Sequence, residues 1–494
     1  MPLNLASKSQ ASAFWFLRRR LAHALLRRSP SMHVEWERWQ KLAVVVSVVV
    51  GVVGLGGSFL LGWWRPAGAV GKTAIVADRA SGAIFVNMGG RLFPALNLVS
   101  AQLITGRPDV PAFVAGSDIA SFPKGPTVGI AGAPVARPAV SSPPVSRWAV
   151  CDTAAATMAG RPVVTGVDGA LALGEGARPL DSGVAALMSY AGQAFVVTSG
   201  VRMAVDVGDR AAAGPLGIEA GRPVVPMSRS LFDAVPAGGK LVVPVIPEAG
   251  APALVDVGVP VVNGVVVVTR DVATGVDQFY VVVAGGVQPV SPVVAGMLRQ
   301  RETFGFASPP RVAPDRLAKV ATRHVLDVDY YPKTPLQLVD SGDLSVTCAA
   351  WERGVDDRQG RLSVIGARSV PAPGAGGQAV IPLIGGGNGG VQADQVVFGP
   401  GAATFVTTTG TAPDSPARQT LWLFDSSGVR YGVGFEGGAL QALGLSSEQA
   451  RLAPWSMLQV WPAGPELSRA AALTMHGASP GVAAPIPTKA VEGR

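Results

Sequence analysis

Residues 42–64 read LAVVVSVVVGVVGLGGSFLLGWW, between Lys41 and Arg65. The run holds 23 residues and no charge. As an α-helix it is about 35 Å long at ~1.5 Å per residue, enough to cross a hydrocarbon core of about 30 Å with modest tilt. An uncharged helix of this length is foreign to a soluble core, so the stretch predicts one transmembrane helix. It divides the chain into a short leader and a long remainder.

The leader carries eight basic residues (Lys8, Arg18, Arg19, Arg20, Arg27, Arg28, Arg38, Lys41) against Glu35 and Glu37. The positive-inside rule keeps it cytoplasmic and exports residues 65–494. Ala67-Gly68-Ala69 has the small residues of a cleavage site. The long basic region and long apolar run nevertheless fit a signal-anchor better than a cleaved peptide. Trp36 and Trp39 on one side, Trp63 and Trp64 on the other, are expected membrane-interface anchors.

The net charge of +8 sits mainly in this leader, since the chain holds 41 basic and 33 acidic residues in all. No basic domain remains to bind nucleic acid, and the leader is suited to the lipid bilayer. Ser7-x-x-Gln10 is a capping box that opens a helix. Phe14, Leu17, Leu21 and Leu25 fall on one face of it; Arg19, Arg20, His23 and Arg27 fall opposite; Ser29-Pro30 ends it. Such a basic amphipathic helix lies on the inner membrane surface. It also offers Arg18, Arg19, Arg20, Arg27 and Arg28 for docking a partner. Ser31 is placed to cap a second helix running into the span. Within the span, Ser47, Gly51, Gly54 and Ser58 form one small-residue stripe that admits a close helix neighbour.

The exported part reads as short Val-rich runs separated by Gly and Pro, the pattern of a β-rich α+β domain with short helices. Its length calls for two to five modules. Cys151 and Cys348 are the two cysteines. In an oxidising compartment they read as one disulfide, with two buried thiols as the alternative.

Motifs recur along this region. Residues 84–90 (IFVNMGG) lead to Leu92-Phe93-Pro94, and 279–285 (FYVVVAG) lead to Val287-Gln288-Pro289. Residues 195–202 (FVVTSGVR) resemble 423–430 (LFDSSGVR), and Pro226-Met227-Ser228 resembles Pro454-Trp455-Ser456. Each unit has a strand, a Gly turn, a second strand, a helical stretch and a Pro-containing exit. Pro94 to Pro289, Cys151 to Cys348 and Arg202 to Arg430 are separated by similar intervals, which predicts a tandem duplication. If a pseudo-two-fold axis relates the halves, the cysteines lie at equivalent positions and could pair across it in a central module. The Gly-rich run between Pro371 and Gly390 is the expected insertion, residues 126–144 an extended connector, and the tail after Pro465 a loose or partner-bound end.

No catalytic constellation stands out. Gly71-Lys72-Thr73 ends like a P-loop, but Pro66 replaces the required Gly. Residues 477–481 match G-x-S-x-G, but Pro480 opposes the strand–helix context of a nucleophile elbow. His324 and His476 lack companions for a metal site, and His324 is expected at a helix end or in the core. Asp356-Asp357 reads as a solvated turn. No catalytic residue, cofactor or metal is called for.

With leader, span, repeats and cysteines in place, the chain resembles the EccB component of type VII (ESX) secretion systems over its whole length. The segments PLNLASKSQASAFWFLRRRLAHALLRR, FVNMGGRLFPALNLVSAQLITG and WAVCD carry the resemblance. It implies a single-pass inner-membrane protein with a periplasmic domain of four repeats around a central β domain. It further implies a Cys151–Cys348 disulfide, six copies per complex, partners EccC, EccD and EccE, and a peptidoglycan contact. The family has been labelled ATPase; without a Walker A motif here, ATP turnover is assigned to EccC. The resulting map is leader 1–41, transmembrane helix 42–64, and repeat 1 at 65–125. The connector and the first segment of the central domain follow at 126–188, repeat 2 at 189–250 and repeat 3 at 251–330. The second central segment at 331–415, repeat 4 at 416–470 and tail 471–494 complete it. The alternatives are a membrane-anchored envelope-binding protein and an exported hydrolase.

Overall fold

The computed structural model describes residues 7–28, 36–64, 70, 73–155, 160–181, 183–371, 380–386, 390–412, 414–477 and 483–485. Two units emerge, residues 1–72 and 73–494. In the first, helix α1 (Lys8–Arg27) opens on the capping box: Gln10 N donates to Ser7 Oγ (3.3 Å) and Ser7 N to Gln10 Oε1 (3.0 Å). It closes at Arg28, whose left-handed backbone (φ 54°) turns its N–H onto Ala24 O. Helix α2 (Trp36–Trp64) contains one segment, Trp39–Gly57, long and apolar enough to cross a membrane. The helix therefore starts ahead of the apolar run. The expected cap at Ser31 and the stop at Ser29-Pro30 lie outside the described residues.

The second unit begins with module one: β1 (Ile75–Asp78), β2 (Ile84–Met88), β3 (Arg91–Ala95), α3 (Leu98–Thr105), β4 (Ala112–Val114), α4 (Gly116–Ala120) and β5 (Thr127–Val128). β1, β2 and β3 are antiparallel neighbours, β4 runs parallel beside β1, and β5 parallel beside β3. Gly89 and Gly90, at φ 58° and 77°, make the β2–β3 turn, a conformation other residues rarely adopt. The chain then enters the central sheet through β6 (Val145–Thr153), β7 (Val163–Asp168) and β8 (Ala177–Pro179).

Module two follows with β9 (Val184–Tyr190), β10 (Gln193–Thr198), β11 (Val201–Val205), α5 (Arg210–Ala213), β12 (Val225–Pro226) and α6 (Arg229–Ala234). Module three has β13 (Val266–Arg270), β14 (Asp277–Val283), β15 (Gly286–Val290), α7 (Pro292–Arg301) and α8 (Pro314–Leu317). After β16 (Gln337–Leu338), which pairs with β9, the central sheet resumes with β17 (Val346–Gly354), β18 (Arg361–Ala367), β19 (Ile381–Pro382) and β20 (Gln395–Phe398). Module four comprises β21 (Phe405–Thr409), β22 (Leu421–Phe424), β23 (Arg430–Val433), α9 (Ala439–Ala442), β24 (Arg451–Pro454) and α10 (Trp455–Leu458). The chain ends its described course with α11 (Arg469–Ala472), β25 (Thr474–His476) and β26 (Ala483–Pro485).

One backbone contact is shared by all four modules. The third strand meets a later segment in a parallel bridge: Leu92 with Lys124, Arg202 with Ala237, Val287 with Thr322, Arg430 with Ala463. Each third-strand N–H donates at 2.9 Å to the carbonyl just before its bridge partner: Pro123, Pro236, Ala321 and Pro462. Each of its carbonyls accepts from the N–H just after that partner: Gly125, Gly238, Arg323 and Gly464.

The central sheet has the order β19-β20-β7-β6-β17-β18-β8. β8 follows β7 in sequence yet pairs with β18, whereas β20 follows β18 yet pairs with β7. The two stretches of chain thus interlock. Modules one and four share one core, with Val86 and Leu103 packed among Leu423 and Leu443. Modules two and three share another, around Val205, Leu216, Val281 and Met297.

Three expectations are corrected. The tail after Pro465 is ordered through Gly477: Leu467 and Ala472 are buried, and β25 pairs with β5 of module one. Hydrophobic burial holds it, beyond the reach of local sequence reasoning. His324 is exposed in an irregular segment rather than at a helix end or in the core. The expected boundary at 415/416 falls inside module four, because β21 pairs with β22 and β24. Most of the expected insertion, including 372–379 and 387–389, lies outside the described residues.

Candidate assembly site

The joint between the two central stretches is the antiparallel pair β6–β17, in register from Val145↔Gly354 to Thr153↔Val346. Cys151 and Cys348 stand opposite each other and form a disulfide (S–S 2.04 Å, Cα–Cα 4.0 Å) across 197 residues. Both are fully buried. Alternation along the strands splits their side chains between two faces. Ala149, Cys151, Val346 and Cys348 enter a small apolar cluster on one face. Trp148, Val150, Ala349 and Trp351 enter the large cluster on the other.

That large cluster receives α6 of module two and α10 of module four. Module four docks through aromatic rings. Trp148 lies 5.5 Å from Phe424 and 6.0 Å from Trp461, and Phe424 and Trp461 lie 5.2 Å apart between centroids. Such offset and edge contacts add to the burial itself. Module two docks through a carboxylate. Asp152 accepts from Ser228 N (2.6 Å) and Ser228 Oγ (2.7 Å), while Ser228 Oγ accepts from Leu231 N at the start of α6. Burial pushes Asp152 up to about 7, against the opposing pull of the Ser228 hydrogen bonds. A cavity of about 140 Å³ adjoins this latch, lined in part by Asp152, Met188, Pro226, Arg222 and Thr347.

A second buried carboxylate, Asp168 at the end of β7, accepts from Ala403 N (2.9 and 3.1 Å) just ahead of β21. Burial raises it to about 8. Neither carboxylate was singled out by sequence; an Asp at a strand end carries no local signal of burial.

The recurring Arg202 and Arg430 occupy equivalent backbone bridges. Arg202 lies 3.7 Å from the Phe232 ring and Arg430 lies 4.1 Å from Trp422 and 4.9 Å from Trp455, cation–π distances. Arg430 Nε donates to Trp461 O, and burial lowers its guanidinium to about 10.

The leader residues are placed as follows. Phe14, Leu17, Leu21 and Leu25 are exposed along α1, and Arg18 lies 5.6 Å from the Trp15 ring. Arg19, Arg20 and Arg28 are also exposed; the Arg27 side chain lies outside the described residues. In α2, Ser47 Oγ donates to Ala43 O (2.8 Å) and Val44 O (3.0 Å), and a Cβ added at Gly51 meets nothing within 4 Å. Gly54 lies in the same helix, and Trp39 is exposed. The side chains of Trp36, Ser58, Trp63 and Trp64 lie outside the described ones.

Among the described residues no group of three or more His, Cys, Asp or Glu side chains is placed to hold a metal ion. Asp356 and Asp357 are exposed at a turn, and His476 Nε2 lies 2.8 Å from Gly129 O. Gly71, Lys72 and residues 478–481 lie outside the described residues.

The family described as type VII secretion system ESX-1, transport TM domain B, matches residues 3–481. The chain belongs to the EccB family. Among its EccB relatives, the ESX-5 secretion system ATPase EccB5 of Mycobacterium tuberculosis is 40% identical over 484 residues, spanning 97% of this chain and 95% of the relative. The ESX-3 secretion system ATPase EccB3 of Mycolicibacterium smegmatis is 38% identical over 480 residues, spanning 96% and 91%. A chain in the structure of an intact ESX-5 inner membrane complex superposes with TM-score 0.76 at 39% identity, covering 99% of both chains. The EccB3 dimer from the ESX-3 core complex gives TM-score 0.70 at 36% identity, covering 81% of this chain and 99% of that one. This EccB-family chain therefore joins one candidate membrane helix to a β-rich domain of the kind found in ESX inner membrane complexes.

Proposed function

We propose that the chain is a structural core subunit of a type VII (ESX) export complex in the inner membrane. Its leader is cytoplasmic; the domain beyond the span is periplasmic, where it oligomerises and shapes the export path. The carrying observation is similarity over 99% of the chain to a subunit of an intact ESX-5 inner membrane complex. The basic leader supports the orientation. The exposed face of α1 serves membrane or partner docking, and the Ser47–Gly51–Gly54–Ser58 stripe serves helix packing in the assembly. EccC, EccD and EccE are the expected companions, with six copies of this chain per complex.

The four modules are read as copies of one unit, duplicated in tandem about a pseudo-two-fold axis at the disulfide. The four equivalent backbone bridges support that reading. The relatives' ATPase names are not extended to this chain, because Pro66 stands where a Walker A Gly is needed.

Gentle detergent extraction of the tagged full chain, followed by mass spectrometry of its companions, tests the proposal. The expected companions are ESX membrane subunits, including the motor ATPase. Recovery alone, or with purified cell wall in place of those subunits, contradicts it. ATP hydrolysis by the isolated chain overturns the non-enzymatic assignment.

A further inference from the structure

We propose that a cavity lined by Arg353, Arg418 and Arg451, where the central sheet meets module four, binds a phosphate group. The cavity measures about 70 Å³. One water needs about 10–15 Å³ of such space, so the cavity has room for a group the size of a phosphate. Its walls come from the end of β17, the segment before β22, and β24 with the turn ahead of it.

Two of the guanidiniums are fixed in place by main-chain carbonyls. Arg353 donates through Nε to Asp357 O (3.1 Å), through Nη1 to Ser415 O (3.2 Å) and through Nη2 to Arg358 O (2.8 Å). Arg451 donates through Nε to Pro143 O (2.7 Å), Nη1 to Glu448 O (3.3 Å) and Nη2 to Ser142 O (3.0 Å). A guanidinium has five N–H donors, so each retains two. All six acceptors are uncharged, and neither arginine makes an ion pair among the described residues. Arg418 is exposed and has no hydrogen bond or ion pair among those residues, which leaves its whole fork available.

The opposing charge is small. Glu448 is the one carboxylate lining the cavity, and the Asp357 carboxylate is turned onto Gly354 N at 3.0 Å. Ser146 Oγ, also in the wall, donates to Leu452 O. A carboxylate offers about four acceptor positions, all in one plane, and the donors left on three guanidiniums around one small space exceed that number. A phosphate presents more oxygens, in a tetrahedral arrangement, and takes more than one fork. Free phosphate and a monoester carried on a larger molecule share this recognition chemistry.

Isothermal titration of the full chain in detergent at low ionic strength, with inorganic phosphate, glycerol 3-phosphate and acetate, tests the site. Saturable binding of either phosphate, tighter than acetate, supports it. Preference for glycerol 3-phosphate assigns an ester, and preference for inorganic phosphate assigns the free ion. Arg418→Gln removes no internal hydrogen bond and is expected to weaken binding about tenfold or more, as loss of a charged hydrogen bond does. Glu448→Gln is expected to strengthen it. Phosphate binding no tighter than acetate, or unchanged in Arg418→Gln, overturns the proposal.

Discussion

Modules two and four dock on the same central sheet by different physics. Module four is held by rings, with Phe424 and Trp461 packed on Trp148. Module two is held by a polar latch, Asp152 on Ser228, beside a cavity of about 140 Å³. Their backbone frames agree down to the bridge at Arg202 and at Arg430. A common frame thus leaves side chains free to set how firmly each module is seated. Ring packing is insensitive to protonation, so pH acts through the desolvated carboxyls, Asp152 under module two and Asp168 at the entry to module four.

The largest expected effect falls on both modules alike and calibrates the comparison. Replacing Cys151 and Cys348 together by Ser removes a cross-link closing 197 residues, which the chain-entropy model values at about 5 kcal/mol. Denaturant unfolding of the oxidised and substituted proteins measures it, and protection from hydrogen exchange is expected to fall in modules two and four equally. Next comes Trp148→Ala, expected to cost about 3–5 kcal/mol as a buried large-to-small change. Here the loss of exchange protection is expected at β22 and α10 before β9 and α6. A uniform loss would erase the distinction between the two seats.

The pH dependence has a definite sign. Asp152 and Asp168 are raised to about 7 and about 8 by burial, from an ordinary value of 3.8. Between about pH 4 and 7 the folded chain keeps two protons that the unfolded chain has released. Stability therefore falls as pH rises through that window and levels off above about pH 8. Thermal melts across pH 5 to pH 9 read the slope. Asp152→Asn and Asp168→Asn are each expected to halve it, and a slope unchanged in the double variant would rule out these two carboxyls as its source.

The smallest effect is a contrast between arginines. Arg430 is 7% exposed, with Nε bonded to Trp461 O and Nη1 buried without a partner among the described residues, whereas Arg202 Nε and Nη1 are both buried without partners among them. Arg430→Met is expected to cost about 1 kcal/mol, the value of a typical hydrogen bond. Arg202→Met, which loses none through those atoms, is expected to cost less. The reverse order in urea midpoints would mean that the bridges are not equivalent in their packing.

Local signals account for what was legible in the sequence. The apolar run marked the candidate span, Ser7 and Gln10 marked the start of α1, and Gly89-Gly90 and Gly200 marked hairpin turns. The matched Cys and Arg spacings pointed to residues that the fold places in a disulfide and in equivalent bridges. What was not legible depends on distant pairing. β25 returns to β5 across most of the chain, and β8 and β20 exchange places at the sheet edges. Nothing near Asp152, Asp168 or Arg418 in sequence marks burial or convergence, because neighbours distant in the chain create both.

Whether this chain works as a subunit of a membrane assembly is tested most directly by blue-native sizing of the gently extracted, tagged full chain. The predicted result is a complex far larger than the 50.4 kDa chain, containing several copies of it. A lone monomer under conditions that keep other inner-membrane complexes intact would contradict it.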